Sequence, residues 1–416
     1  MEVLKLKNSY KLIKSDKTDM IAVTMIFPIS VEYENSVYIS ILKNILLTTN
    51  YKYKDRKKFN EEKLRAGVTS LSLDYEKMVN TAAIEYNFLI PRENLIKDYD
   101  INCSFSFAID CLVNPNMSNG LFDEKVIEQE KSFLTKKFEN SFSNINSANK
   151  NKLFDIIDVD EKINASSEHY KKILEGISNK KVVDFYNKNI KNNKPIVYVF
   201  GNIEKKKLDS LFSKYYPLTL KDISITCDYY DCLKKLEYKC VEIPTKFSQT
   251  EVDVVYQTEA DESGRYKLAL LGDFLTAREN NLVFKKLREE NNLVYQSNVL
   301  VNSRRGFFII KLLIRDENIE KALVLIDEIF ESLKNYSFVE NCLNRTLKYI
   351  EYDRLRKQDS IYAEFGDKID TDLKFGTLDD TIREYKSITI QDEIDFIKKV
   401  EKTQLIIFRG AVNDKN

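Results

Sequence analysis

Arg288 and Tyr295 lie seven positions apart in this 416-residue sequence, two long polar side chains of types that can act on a carbonyl group. A tyrosine donates one hydrogen bond and an arginine up to five, so the pair fits an oxygen that gains negative charge. Residues 281–298, which hold them, read Asn-Leu-Val-Phe-Lys-Lys-Leu-Arg-Glu-Glu-Asn-Asn-Leu-Val-Tyr-Gln-Ser-Asn. Leu282, Phe284, Leu287 and Arg288 fall near helical spacing, and Arg and Glu favour helix. Asn291-Asn292 then supplies the residue type that, after glycine, most readily turns left-handed at a helix end. Residues 293–301 read as a strand returning from that turn. Arg288 is therefore expected in the last turn of a helix and Tyr295 at the start of a strand, where both can converge on one surface. On local grounds a second reading stands beside it: an arginine facing its own helix end and a tyrosine half-buried in a sheet.

Other reactive residue types are sparse. The single histidine, His169, rules out any two-histidine zinc motif. It lies in Ser-Ser-Glu-His-Tyr, which reads as a surface loop. Six cysteines (Cys103, Cys111, Cys227, Cys232, Cys240 and Cys342) do not make a disulfide framework in a chain this long, and suggest a reducing cytoplasm. Cys227, Cys232 and Cys240 cluster in sequence without a CxxC pair, and a thiolate metal site there lacks a fourth ligand. Residues 51–59, Tyr-Lys-Tyr-Lys-Asp-Arg-Lys-Lys-Phe, interleave rings and cations as a nucleic-acid surface can. With 65 basic and 65 acidic residues overall, a solvated loop is the better reading, and no nucleic-acid partner is expected.

The order Leu-Val-Phe-x-x-Leu-Arg-Glu-x-x-x-Leu-Val-Tyr resembles the Arg/Tyr signature in the second half of insulinase/pitrilysin-type metallopeptidases, the mitochondrial processing peptidase superfamily. Those proteins usually carry glycine where this chain has Asn292. The resemblance extends more weakly over nearly the whole chain. It implies a helix near residues 37–49 bearing the inverted zinc motif His-x-x-Glu-His, whose histidines bind the metal and whose glutamate activates water. The matching positions here are Ile41-Leu42-Lys43-Asn44-Ile45: both ligands, Ile41 and Ile45, are aliphatic, and the base, Asn44, is an amide. The third ligand of the superfamily, a downstream glutamate, would fall on the helix over residues 122–139. Glu128 and Glu130 are the candidates, expected to be ordinary surface carboxylates here. The glycine-rich loop of the mitochondrial noncatalytic subunit is not apparent.

The elements that must position these residues follow from composition and periodicity. The length suggests two or more domains, and 43% hydrophobic with 31% charged residues is globular. Residues 1–17 are charged throughout and lack a signal-peptide core, and no run approaches 18 apolar residues, so neither export nor a membrane span is expected. Strands are expected at residues 11–14, 21–28, 81–90 and 195–200, with helices over 37–49, 59–66, 95–112, 122–139, 147–157 and 182–189. Residues 217–239 lose periodicity and read as a linker. The pattern then restarts, with strands at 252–257, 307–314 and 405–408 and helices over 266–277, 282–290, 319–335 and 339–357.

That restart suggests an internal duplication. Lys63-Leu64-Arg65 matches Lys286-Leu287-Arg288 at an offset of 223 (288 minus 65), and Arg92 matches Arg315 at the same offset (315 minus 92). The expected architecture is α+β in two homologous halves, residues 1–216 and 240–416, each a mainly antiparallel sheet with helices packed on one face. In the superfamily, four such halves enclose a peptide chamber and hold peptides by pairing to a strand edge. The resemblance then implies a zinc-free subunit whose homologous partner carries His-x-x-Glu-His and the zinc, with Arg288 and Tyr295 contributed to a bound peptide. A scaffold without activity, or a peptide-binding protein with no peptidase partner, remains open.

Overall fold

Runs of β-branched and aromatic residues alternate with amphipathic helices in the computed structural model of the chain. It describes residues 2–7, 10–77, 81–157, 167–218, 222–227, 234–259, 261–276, 280–358, 360–373 and 376–411. Contacts divide the chain into two units, residues 1–155 with 159–228, and residues 156–158 with 229–416.

Unit 1 runs β1 (Glu2–Lys7), β2 (Tyr10–Ile13), β3 (Met20–Ser30), α1 (Tyr33–Leu46), α2 (Arg56–Arg65), β4 (Ser70–Lys77), β5 (Thr81–Pro91), α3 (Ile101–Val113), α4 (Glu124–Ser141), α5 (Ile145–Ile157), α6 (Ser167–Gly176), α7 (Asn179–Tyr186), β6 (Ile196–Phe200), α8 (Lys205–Tyr215) and β7 (Asp222–Cys227). Its sheet has the order β2-β6-β3-β5-β4. β2 runs parallel to β6, and the other pairings are antiparallel. β7 lies within the stretch expected to be a linker; Ile223 and Ile225 alternate with polar residues, and the strand pairs antiparallel with β1. Ile21, Val23, Met25 and Phe27 of β3 and Ile84, Tyr86, Phe88 and Ile90 of β5 share one buried cluster with Val37, Ile41, Leu42 and Ile45 of α1 and Phe105 and Ala108 of α3. This period-two pattern is what lays the helices on one face of the sheet.

Unit 2 runs β8 (Lys239–Pro244), β9 (Thr250–Gln257), α9 (Glu262–Thr276), α10 (Leu282–Phe284), β10 (Val294–Asn302), β11 (Phe307–Ile314), α11 (Ile319–Ser332), α12 (Tyr336–Gln358), α13 (Ile361–Asp372), α14 (Leu378–Ser387), α15 (Ile390–Ile397) and β12 (Glu401–Arg409). The sheet order is β10-β11-β9-β12-β8, with β8 parallel to β12 and the rest antiparallel. Read from the other edge, β8-β12-β9-β11-β10 repeats β2-β6-β3-β5-β4 strand for strand, including the one parallel edge. The chain is thus α+β with two similar halves, each built on a five-stranded sheet.

The repeat also tests the matched residues. Arg92 directly follows β5 and Arg315 directly follows β11, so that match holds in register. Lys-Leu-Arg does not. The left-handed residue after the helix is Gly67 (φ 76°) in unit 1 and Asn292 (φ 51°) in unit 2, which puts Arg65 two residues before it and Arg288 four. A wider π-helical turn over Lys285–Glu289 accompanies the slip, since such a turn takes an extra residue.

Candidate functional site

In unit 1 the positions expected to match the zinc motif, Ile41, Asn44 and Ile45, lie on α1. Ile41 and Ile45 are 0% and 4% exposed and packed in the core, so the two positions expected to match the ligands hold aliphatic side chains among aliphatic neighbours. Asn44 lies on the turn that faces α4, and its Nδ2 donates to Glu130 Oε2 at 2.6 Å. Glu130 is therefore half-buried and hydrogen-bonded rather than an ordinary surface carboxylate. Glu128 behaves as expected: it is exposed and ion-paired with Lys131 at 3.2 Å on its own helix. The amide neutralises none of the charge on Glu130 but satisfies one of its lone pairs, which an aliphatic residue at 44 would not do.

In unit 2 the π-helical turn ends at Glu289, and three residues on the left-handed backbone of Asn292 turns the chain back into β10. Arg288 braces this turn. Its Nη1 donates to Asn292 Oδ1 at 3.0 Å and to the Val294 carbonyl at 2.8 Å. The guanidinium thus touches the peptide unit that precedes Tyr295, while the Tyr295 side chain, 46% exposed, has a different partner. Arg315 Nε donates to the Tyr295 hydroxyl at 2.7 Å, and the Arg315 guanidinium carbon lies 5.7 Å from the ring centroid. An open recess of about 310 Å³ adjoins this pair. The antiparallel β10–β11 hairpin brings residues 295 and 315 together. Arg315 was visible in the sequence as the match to Arg92, but nothing local tied it to Tyr295.

A buried charge cluster escaped the sequence reading altogether. Lys311 Nζ lies 2.8 Å from Glu251 Oε1 and 2.8 Å from Asp253 Oδ2, with the three side chains 11%, 3% and 0% exposed. Burial pushes the Asp253 carboxyl up against the opposing pull of Lys311; for Lys311, burial pulls down and the two carboxylates more than offset it. One cation between two carboxylates pins β9 to β11 in register, a positioning role at the centre of the sheet.

Several expected features fall elsewhere. His169 is on α6, not in a loop: Tyr170, Ile173 and Leu174 recur at helical spacing and pack on the unit 1 core, leaving the imidazole half-buried. Within residues 51–59, Tyr53 stacks on Phe107 at 6.0 Å and Phe59 is fully buried, so two of the three rings belong to the core. Cys103 and Cys240 are exposed free thiols, and Cys111 and Cys342 are buried ones. Of the suggested thiolate site at Cys227, Cys232 and Cys240, the side chains of Cys227 and Cys232 lie outside those described. Among the described residues no group of three His, Cys, Asp or Glu could hold a metal ion, and no helix is long and apolar enough to cross a membrane.

Comparison with known proteins agrees with this geometry. Residues 176–349 match the model of the peptidase M16 inactive domain. A curated relative from Bacillus subtilis (strain 168), "Probable inactive metalloprotease YmfF", is 21% identical over 344 residues, covering 81% of this chain and 80% of the relative. A conserved protein from Enterococcus faecalis V583 has a similar crystal structure, with a TM-score of 0.85, 16% identity, and coverage of 99% of this chain and 100% of that one. A protease from Helicobacter pylori follows with a TM-score of 0.73, 14% identity, and coverage of 98% and 99%. At these identities the structural likenesses establish the fold alone. The inactive-domain match and the inactive relative agree with the single histidine: this chain carries no catalytic zinc.

Proposed function

We propose that this chain, which matches the peptidase M16 inactive domain and a relative described as a probable inactive metalloprotease, is the noncatalytic subunit of a two-protein zinc peptidase acting on small peptides or peptide precursors. The partner is a homologous chain with His-x-x-Glu-His and bound zinc. On its wall, zinc and glutamate generate the nucleophile, and on this chain's wall Arg288 and Tyr295 meet the scissile carbonyl as charge develops. The observation that carries the reading is an asymmetry between the units. Unit 1 has filled its motif with Ile41, Asn44 and Ile45, while unit 2 keeps Tyr295 exposed beside an open recess on β10. β10 is also an edge strand, whose free backbone groups suit sequence-tolerant pairing with a peptide. Exposed free thiols at Cys103 and Cys240 favour the reducing cytoplasm as the place of work.

One observation favours the scaffold reading instead: Arg288 already hydrogen-bonds within its own turn, as a purely structural arginine would. Mixing the purified chain with the His-x-x-Glu-His chain encoded in the same genome separates the two. A stable complex with zinc-dependent peptide cleavage that neither chain gives alone is expected. Failure to associate, or cleavage by the zinc-bearing chain at an unchanged rate without this one, overturns the subunit reading.

A further inference from the structure

Unit 1 serves as an internal control for Tyr295. Met20 pairs with Pro91 in unit 1 and Thr250 with Ile314 in unit 2. Asp19 and Gln249 therefore occupy the same place, one residue before the strand that faces Arg92 and Arg315. Arg92 gives its Nε to Asp19 at 2.8 Å. Unit 2 has a neutral amide at that place, and Arg315 turns its Nε to the Tyr295 hydroxyl instead. Tyr295 is within reach because β10 bulges there: Val294 pairs with Ile314 and Gln296 with Leu313, which leaves Tyr295 as the extra residue.

We propose that Arg315, not Arg288, is the cationic partner of Tyr295, and that the two form a binding site for a backbone carbonyl of the peptide substrate. The inference rests on the subunit reading for its substrate, keeps Tyr295 on the carbonyl and puts Arg315 in place of Arg288 as the cation beside it. A phenol oxygen that accepts from Nε keeps its own proton free to donate. The nearest carboxylate to the remaining guanidinium edge is that of Glu317, at 3.7 Å, too long for a strong pair. The recess beside this edge is lined by Ser248, Thr250, Tyr295, Arg315, Asp316 and Glu317. Charge selects the ligand. Arg409 is held bidentate by Glu242 at 2.8 and 2.9 Å and lies 3.3 Å from Asp316. In the lining one arginine, Arg315, thus meets two carboxylates, Asp316 and Glu317, a balance that disfavours an anion and suits a neutral dipole next to an uncharged or basic side chain.

The test uses the full chain and two fluorescent nonapeptides, one of Lys and Ala and one of Glu and Ala. Anisotropy should show the Lys/Ala peptide binding more tightly than the Glu/Ala peptide. Arg315→Met and Tyr295→Phe should each weaken the Lys/Ala peptide by about fivefold, the double variant little further, and Arg315→Lys should not rescue, because an ammonium lacks the fork. In nitrogen-edited NMR spectra the Arg315 Nε–H signal should move in Tyr295→Phe. Equal binding by wild type and variants, no binding of either peptide, a preference for Glu/Ala, or an Nε–H signal indifferent to Tyr295→Phe overturns the proposal. Both arms use this chain alone, so failure of the mixed complex to cleave peptide is read separately and counts against the subunit reading.

Discussion

Asn44 donates its side-chain amide to Glu130 at 2.6 Å, joining α1 to α4 across 86 residues of sequence. The contact puts Asn44, expected at the position of the base, beside Glu130, expected as one candidate third ligand, with Ile41 and Ile45 turned into the core. These positions are packed and hydrogen-bonded rather than empty, so restoring three side chains should not by itself create a zinc site. An amide at 44 satisfies the glutamate, whereas a second carboxylate there would face it with like charge.

Asn44→Ala should destabilise the chain by about 1–2 kcal/mol, because Glu130 loses a charge-assisted bond while only half-buried. Glu130→Gln, which keeps an acceptor, should cost less. The triple variant Ile41→His, Asn44→Glu, Ile45→His should melt well below wild type, with two imidazoles in places that are 0% and 4% exposed. Melting curves with and without zinc check this. A large zinc-dependent recovery, together with one equivalent of bound metal, would show that the ligands can still assemble.

Gly201 closes β6 with φ 131°, and a Cβ there would meet the Met20 carbonyl oxygen at 2.5 Å and Ile21 Cδ1 at 2.9 Å. Gly120 also has positive φ, 76°, but its Cβ would meet nothing within 4 Å. Gly120→Ala should therefore cost only the backbone preference, about 1–2 kcal/mol. Gly201→Ala should cost clearly more, since Met20 is backbone in the paired strand β3 and cannot move aside. Denaturant midpoints of the two variants, measured side by side, decide it; equal losses would mean that the β6 end relaxes.

What could be read in the sequence follows how local the cause is. Residues 307–314, apolar except for Lys311, are the strand β11 to the residue, because both faces are largely buried. The left-handed turn at Asn292 was legible because few residue types adopt that backbone. β4 was missed: Ser-Leu-Ser-Leu-Asp-Tyr-Glu-Lys is a polar edge strand with a weak apolar signal. Arg315 lies 20 residues from Tyr295 and Glu130 lies 86 from Asn44, so both contacts depend on tertiary packing that no spacing rule encodes. The Lys-Leu-Arg match failed for a related reason, since a wider helical turn shifts register without changing residue type.

Asp273 on α9 accepts from the Tyr385 hydroxyl on α14 at 2.9 Å. Burial pushes its carboxyl from the ordinary 3.8 up to about 6, against the opposing hydrogen bond from Tyr385. Between those values the folded protein holds a proton that the unfolded chain has lost. Stability from this group is thus full below about pH 4 and falls as pH rises to about 6. Asp273→Asn keeps an acceptor for Tyr385 and removes the titration. Melting temperatures across that range should fall more steeply for wild type than for the variant. Parallel curves would mean that Asp273 is better solvated than its surroundings indicate.

Arg288 and Tyr295 are seven residues apart yet should fail in different ways. Arg288 Nη1 holds both Asn292 Oδ1 and the Val294 carbonyl, so Arg288→Met removes two bonds from the turn that launches β10. It should lower stability by about 1–3 kcal/mol. Arg288→Lys should recover only part of that, because one ammonium on a flexible stem does not reproduce the guanidinium geometry. Tyr295 is exposed, and Tyr295→Phe removes one hydroxyl from the surface, so its melting temperature should stay within a degree or two of wild type. In the mixed complex the order reverses. If the hydroxyl acts in the transition state, Tyr295→Phe lowers kcat by about 10²–10³ while partner affinity is unchanged. A raised KM with kcat unchanged would place the tyrosine in ground-state binding instead. Should Tyr295→Phe assemble and turn over peptide at the wild-type rate while Arg288→Met only destabilises, neither residue acts on the substrate, and a structural role for this chain gains over the catalytic assignment of the pair.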